Sequence, residues 1–164
     1  MSLIFAGIPP IRGELCNLKT GEVQALTQMA HPTPDFQGIH KELLTYKRKD
    51  GVDLSGTLYL PPDYEGGPLP VVMWAYPLEY KDPSVAGQVT TSPYEFNRVS
   101  YWGPLPFLAM GCAVLDDPKM PIIGEEDQLP NDTFREQLVS SAQAAVDALV
   151  ERGVCDPERV AIGG

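Results

Sequence analysis

The last third of the chain constrains the fold most. A long amphipathic stretch from Thr133 to Arg152 meets a glycine stop at Gly153, and a short apolar run, Arg159-Val160-Ala161-Ile162, then ends in Gly163-Gly164. Phe134, Leu138, Ala142, Ala145, Leu149 and Val150 recur at three- to four-residue spacing, which gives a helix one apolar stripe to bury. Thr133 and Glu136 make the T-x-x-E pattern of a capping box, and Gly153 stops the helix just past Arg152. Asp156-Pro157 turns the chain, so Arg159 to Ile162 is expected as the next strand, buried on both faces. A helix that feeds a buried strand needs a sheet to lie on, and the rest of the chain is read for that sheet.

Two apolar runs supply it. Val71-Val72-Met73-Trp74-Ala75-Tyr76 after Pro70, and Cys112-Ala113-Val114-Leu115-Asp116 after Gly111, are nearly continuous, as strands covered on both faces are. Between them a short helix is expected within residues 99–110, its limits disturbed by Pro104 and Pro106. Upstream, Lys41 to Lys47 and Leu54 to Leu60 flank Lys49-Asp50-Gly51, a hairpin turn signal, and Pro61-Pro62 ends the second strand. Two antiparallel strands followed by buried strands alternating with helical segments predict an α/β fold on an open sheet of mixed direction.

The first residues follow a different pattern. Glu14 to Leu18 and Glu22 to Thr27 alternate apolar and polar positions about Lys19-Thr20-Gly21, a hairpin that has no partner sheet of its own. His31-Pro32-Thr33-Pro34-Asp35 then reads as an extended link, which places a boundary near residues 30–40.

Composition excludes several functions. The 164 residues are 43% hydrophobic, enough for a core. With 22 acidic against 12 basic residues the formal charge is −10, which repels phosphate backbones and anionic lipid, so neither nucleic acid nor membrane is expected as a partner. Cys16, Cys112 and Cys155 are odd in number and far apart, so they predict neither a disulfide framework nor zinc, and suit a reducing compartment. Met1 to Ala6 has no basic n-region and Pro9-Pro10 follows at once, so no signal peptide is expected in the chain, and no apolar run approaches a membrane span. A soluble protein of the cytoplasm or an organellar stroma is the expectation.

Residues 41–164 resemble the first half of the catalytic domain of the prolyl oligopeptidase family of serine peptidases, and are most similar to its glutamyl endopeptidase branch. The resemblance is carried by Lys41-Glu42, Tyr46-Lys47-Arg48-Lys49-Asp50-Gly51-Val52 and Thr57-Leu58-Tyr59-Leu60-Pro61-Pro62. Further along it is carried by Pro121-Ile122-Ile123-Gly124-Glu125, Asn131-Asp132, Gln137-Leu138-Val139 and Arg159 to Gly164, in that order. It implies an α/β-hydrolase-type sheet, mixed and mainly parallel, incomplete here, in residues 39–164. It also implies that residues 1–38 are the last strands of a β-propeller blade and a linker. In this family the run ending Gly163-Gly164 enters a Gly-Gly-His-Ser-Tyr-Gly elbow, so the serine, and the acid and base that follow it in such folds, are expected beyond Gly164. The chain is then expected to be an internal piece, inactive alone.

The resemblance also gives Tyr76 a role. A tyrosine hydroxyl after the third strand of the family's catalytic domain donates to the oxyanion, and Tyr76 occupies that place, although Pro77-Leu78 stand where many relatives carry glycine. The alternative is an amphipathic aromatic at a strand end with its hydroxyl in water. Other candidates are weaker. Ser140-Ser141 is mid-helix and outside any G-x-S-x-G context, and His31 and His40 are expected on the surface. Gly124-Glu125-Glu126-Asp127 with Asp116-Asp117 lacks the spacing of a calcium loop, so neither metal nor cofactor is expected. Glu125 and Asp127 are candidates for a rim position. Arg98 and Lys119 are the cations to nominate for an acidic substrate side chain, against their reading as solvated charges. Trp74 and Trp102 are expected in the core.

The implied function is a serine-type peptidase acting on peptides through an acyl-enzyme, and the resemblance to the glutamyl branch implies cleavage after glutamate. The alternatives are a non-catalytic truncated hydrolase that self-associates through its open sheet edge, and an esterase or acylaminoacyl-peptidase relative.

Overall fold

The computed structural model describes residues 13–27, 30, 32–92, 97, 99–124 and 129–164. A short antiparallel hairpin, β1 (Glu14–Cys16) and β2 (Val23–Ala25), comes first, with every residue of both strands exposed. The main sheet has five strands in the order β3-β4-β7-β5-β9, formed by β3 (His40–Lys47), β4 (Asp53–Leu60), β5 (Leu69–Trp74), β7 (Ala113–Asp116) and β9 (Cys155–Gly163). A separate parallel pair joins β6 (Pro77–Tyr80) to β8 (Met120–Ile123). The helices are a single turn, α1 (Pro83–Ala86), and the long α2 (Phe134–Glu151), with 3₁₀ turns at Pro34–Phe36, Leu105–Met110 and Pro130–Thr133. Among the described residues no helix is long and apolar enough to cross a membrane.

Strand alternation sorts the apolar residues onto two faces. On one face Leu58 and Leu60 of β4, Val71 and Met73 of β5, and Ala113 and Leu115 of β7 pack against Ala145 and Leu149 of α2. On the other, Tyr59 and Val114 meet Ile39 and the 3₁₀ residues Leu105 and Leu108. The connection from β5 to β7 therefore contributes cover to one face and that from β7 to β9 to the opposite face. Because β7 lies on one side of β5 and β9 on the other, the winding reverses at β5.

The sheet is mixed, as expected, but not mainly parallel. β3–β4 and β4–β7 are antiparallel, whereas β5–β7 and β5–β9 are parallel. The entry hairpin crosses onto β7 and takes half of the pairings, which a count of apolar runs does not reveal. β9 is also not the buried strand expected. Ile162 is 57% exposed and Arg159 and Ala161 are exposed, because β9 is the sheet's edge among the described residues and neither of its faces is fully covered. The turn at Asp156-Pro157 appears within β9 as a bulge: Leu69 pairs with Cys155 but Val71 with Val160. Asp156 closes it by accepting from the Glu158 N–H at 3.0 Å and from Arg159 Nε at 2.6 Å.

Three local expectations change as well. Thr133 makes no side-chain cap bond; a 3₁₀ turn precedes α2, and the Thr133 hydroxyl instead accepts from Gln137 Nε2 at 2.9 Å. Val150 is exposed although it fits the apolar spacing, because the stripe narrows to Ala145 and Leu149 at that end. Trp102 is 82% exposed, edge to face with Tyr101 at 5.0 Å between ring centroids, and so is not core. The C-terminal stop forms as expected. Gly153 takes φ 79°, its N–H reaches the Val150 carbonyl at 2.9 Å, and the Val154 N–H reaches that of Leu149 at 3.1 Å, the paired bonds of a Schellman cap.

Candidate active site

In open α/β sheets ligands bind outside the carboxyl ends of the strands where the winding reverses, and here that place is the end of β5. The strand end is tied on both sides. The Asp117 N–H donates to the Trp74 carbonyl at 3.0 Å and the Ala75 N–H donates to the Gly163 carbonyl at 2.8 Å. Trp74 stands opposite Asp116 on β7 and Gly163 on β9. Tyr76 follows, 58% exposed, just before the chain enters β6.

The two terminal glycines pack directly against these residues. A methyl group at Gly163 would lie 3.1 Å from Trp74 Cζ3. One at Gly164 would lie 2.3 Å from the Ala75 carbonyl oxygen and 3.3 Å from Tyr76 Cζ, the ring carbon that bears the hydroxyl. The structure thus brings Tyr76, Gly163 and Gly164 together; a side chain at Gly164 would clash with the Ala75 carbonyl, and one at Gly163 would press on the Trp74 ring. A phenolic hydroxyl beside the closely packed end of a strand can donate to an oxygen that acquires negative charge there.

Charged groups border the same end. Burial raises the Asp116 carboxyl above its usual range, and the neighbouring Asp117 adds to the rise, while Lys41 and the Asp117 backbone act against it. Lys41 is itself buried, its ammonium 5.5 Å from the centre of the Tyr59 ring. Lys119 is not the solvated charge expected: its side chain is only 12% exposed, its Nζ donates to Asp117 Oδ2 at 2.7 Å, and its backbone N–H donates to the Ser55 carbonyl at 2.8 Å. Trp74 is half-buried at the strand end and belongs to neither core cluster.

The remaining candidates lie elsewhere. Ser141 is fully buried in α2, where Arg48 Nη1 donates to its hydroxyl at 3.1 Å, and Ser140 is half-buried. His40 begins β3 with its ring 3.4 Å from Glu42 Oε2. His31, Arg98, Glu125 and Asp127 fall outside the described residues. Among the described residues no group of three or more His, Cys, Asp or Glu could hold a metal.

Sequence reasoning missed one polar cluster. Arg48, buried, donates to Asp50 (Nε 2.9 Å to Oδ1, Nη2 2.7 Å to Oδ2), to the Pro121 carbonyl (3.0 Å) and to Gln137 Oε1 (3.2 Å). Gln137 in turn accepts from the Ile123 N–H at 2.9 Å and donates to the Ile123 carbonyl at 2.8 Å. These partners are up to 89 residues apart, and no local motif announces them.

No family model matches the chain. It is 49% identical over 142 residues, 85% of this chain, to a probable chloroplastic glutamyl endopeptidase of Oryza sativa subsp. japonica. It is 48% identical over 146 residues, 87% of this chain, to a protein of the same description from Arabidopsis thaliana. The chain spans about 15% of the length of either relative. Among solved structures, the ligand-free isopeptidase AtxE2 superposes with a TM-score of 0.56 at 26% identity, covering 97% of this chain and 24% of that one. A prolyl endopeptidase superposes with a TM-score of 0.51 at 18% identity, covering 96% of this chain and 22% of that one, which bears on the fold alone. With plant glutamyl endopeptidases as relatives by sequence and prolyl oligopeptidases as neighbours by fold, the chain belongs to the prolyl oligopeptidase family of serine peptidases.

Proposed function

We propose that residues 39–164 contribute the oxyanion donor and the entry to the nucleophile turn of an α/β-hydrolase-type serine peptidase domain, and that residues 1–38 are the end of a β-propeller and a linker. One observation carries this reading: Gly164 lies so close to Tyr76 that a methyl placed on it would be 3.3 Å from the hydroxyl-bearing ring carbon. A serine following such a glycine pair attacks the peptide carbonyl, its proton passes to a base and then to the leaving amine, and the C–N bond breaks to leave an acyl-enzyme. The Tyr76 hydroxyl donates to the oxygen that becomes negative in that step. Cleavage after glutamate, with a peptide as substrate, and an organellar location are supported by the names of the plant relatives. The chain itself holds no serine in a G-x-S-x-G context and is predicted not to turn over substrate alone.

The test uses the 164-residue chain and a hybrid in which the whole chain replaces the matching stretch of the rice relative. The isolated chain is expected not to react with a fluorophosphonate, and the hybrid to react and to cleave a glutamyl peptide. Tyr76→Phe in the hybrid is expected to lower kcat about 10²–10³-fold. An unchanged kcat would remove Tyr76 from the reaction. A second reading, a non-catalytic chain that self-associates, is favoured by the open edge of β9 with its exposed Ile162. Sedimentation of the isolated chain separates the two, since a monomer at micromolar concentration rejects the second.

A further inference from the structure

Three successive residues at the end of β5 shape the hollow that receives the glycine pair. The Trp74 ring occupies the space of a side chain at 163, the Ala75 carbonyl that of one at 164, and the Tyr76 ring closes the far side of Gly164. Of the three, Trp74 is the largest and the least explained by packing. The face that carries α2 is filled by Leu58, Val71, Met73 and Leu115, and the opposite face by Tyr59, Val114, Leu105 and Leu108, with Trp74 in neither group. The backbone of Trp74 is also fixed, since its carbonyl accepts from the Asp117 N–H at 3.0 Å and its register partners are Asp116 and Gly163. An indole held there packs over Gly163 at the point where the Ala75 N–H bonds the Gly163 carbonyl at 2.8 Å.

We infer that Trp74 is a positioning residue for the oxyanion donor. Its ring, packed over Gly163, fixes how Gly164 seats against the Tyr76 ring, and with it the position of the Tyr76 hydroxyl. The inference rests on the reading of Tyr76 as that donor, and it assigns Trp74 no contact with substrate. A displacement of about 1 Å between a donor and the reacting atoms can cost on the order of 10²-fold in rate, so a ring that fixes this gap acts on kcat and not on substrate binding.

The experiment is a double-mutant cycle in the hybrid, with kcat expressed per active site titrated by fluorophosphonate. Trp74→Ala is expected to lower kcat by about 10- to 100-fold with KM within about twofold, and Trp74→Phe, which keeps a ring over Gly163, to recover most of the loss. Because Trp74 acts through Tyr76, Trp74→Ala/Tyr76→Phe is expected to be no slower than Tyr76→Phe alone. Losses that multiply in the double variant overturn the inference, as does a Trp74→Ala variant whose kcat is unchanged. A Tyr76→Phe variant with full kcat instead strikes the underlying reading and is distinguished by that single measurement. If circular dichroism finds Trp74→Ala unfolded, Gly163→Ala carries the test. It drives a methyl to 3.1 Å from the indole from the other side and is expected to lower kcat with KM preserved, and a normal kcat there overturns the inference.

Discussion

The antiparallel and parallel halves of the main sheet share β7 and one core, yet β4 of the one and β9 of the other differ sharply in burial. In the antiparallel half β4 is buried at every residue after Asp53, held between β3 and β7. In the parallel half β9 has apolar residues of similar character, yet Ala161 and Ile162 are exposed because β5 is its only neighbour among the described residues. Burial here follows from position in the sheet and not from the apolar content of the strand. Among the described residues the glycine pair and Tyr76 lie in the half that has β9 at its edge.

That contrast can be broken by substitution. The largest effect is expected in the enclosed half: Leu58→Ala, at a fully buried position, should cost about 2–5 kcal/mol in urea unfolding. In the hybrid it should leave the rate per titrated site unaltered. Tyr76→Phe should do the reverse, raising the barrier by about 3–4 kcal/mol while the melting temperature holds, because its ring is 58% exposed. A melting temperature that falls with Tyr76→Phe would show the two halves to be less separate than described. Gly153→Ala comes next. At φ 79° the new side chain is strained by about 1–2 kcal/mol, and the loss should appear as faster amide exchange in the last turn of α2.

The smallest effect concerns acid. The hydrogen bonds from Arg48 hold the Asp50 carboxyl below its ordinary value of 3.8, against a smaller opposing push from burial. A carboxylate depressed in the folded state stabilises above its unfolded pKa and loses that contribution as pH falls through the folded value. The stability curve should therefore bend downward below about pH 4, and Asp50→Asn should flatten that limb by under about 1 kcal/mol, since Asp50 is half-exposed. An acid limb identical in both proteins would place the loss elsewhere.

The sequence made legible what is local. Lys49-Asp50-Gly51 marked the hairpin, the spacing of Leu138, Ala145 and Leu149 marked α2, and Gly153 marked its end, because each is decided within a few residues. Tyr76 and the glycine pair were recognisable by family resemblance, and their packing against one another required the strand order, which no local pattern encodes. The T-x-x-E pattern misled because Thr133 was claimed by Gln137, a partner one helical turn on with a second task at Ile123. β6 and β8 escaped notice for a related reason. Pro77 and Pro121 discourage a strand assignment, and the two short segments pair across some forty residues.

Gln137 has a mechanical consequence. By accepting from the Ile123 amide and donating to its carbonyl, its side chain stands in for a strand neighbour, so α2 is coupled to the end of β8. β8 runs in register with β6, whose first residue, Pro77, directly follows Tyr76. α2 and β8 are thus joined by a side chain that bonds as a neighbouring strand would, and the strand that β8 pairs with begins one residue after Tyr76.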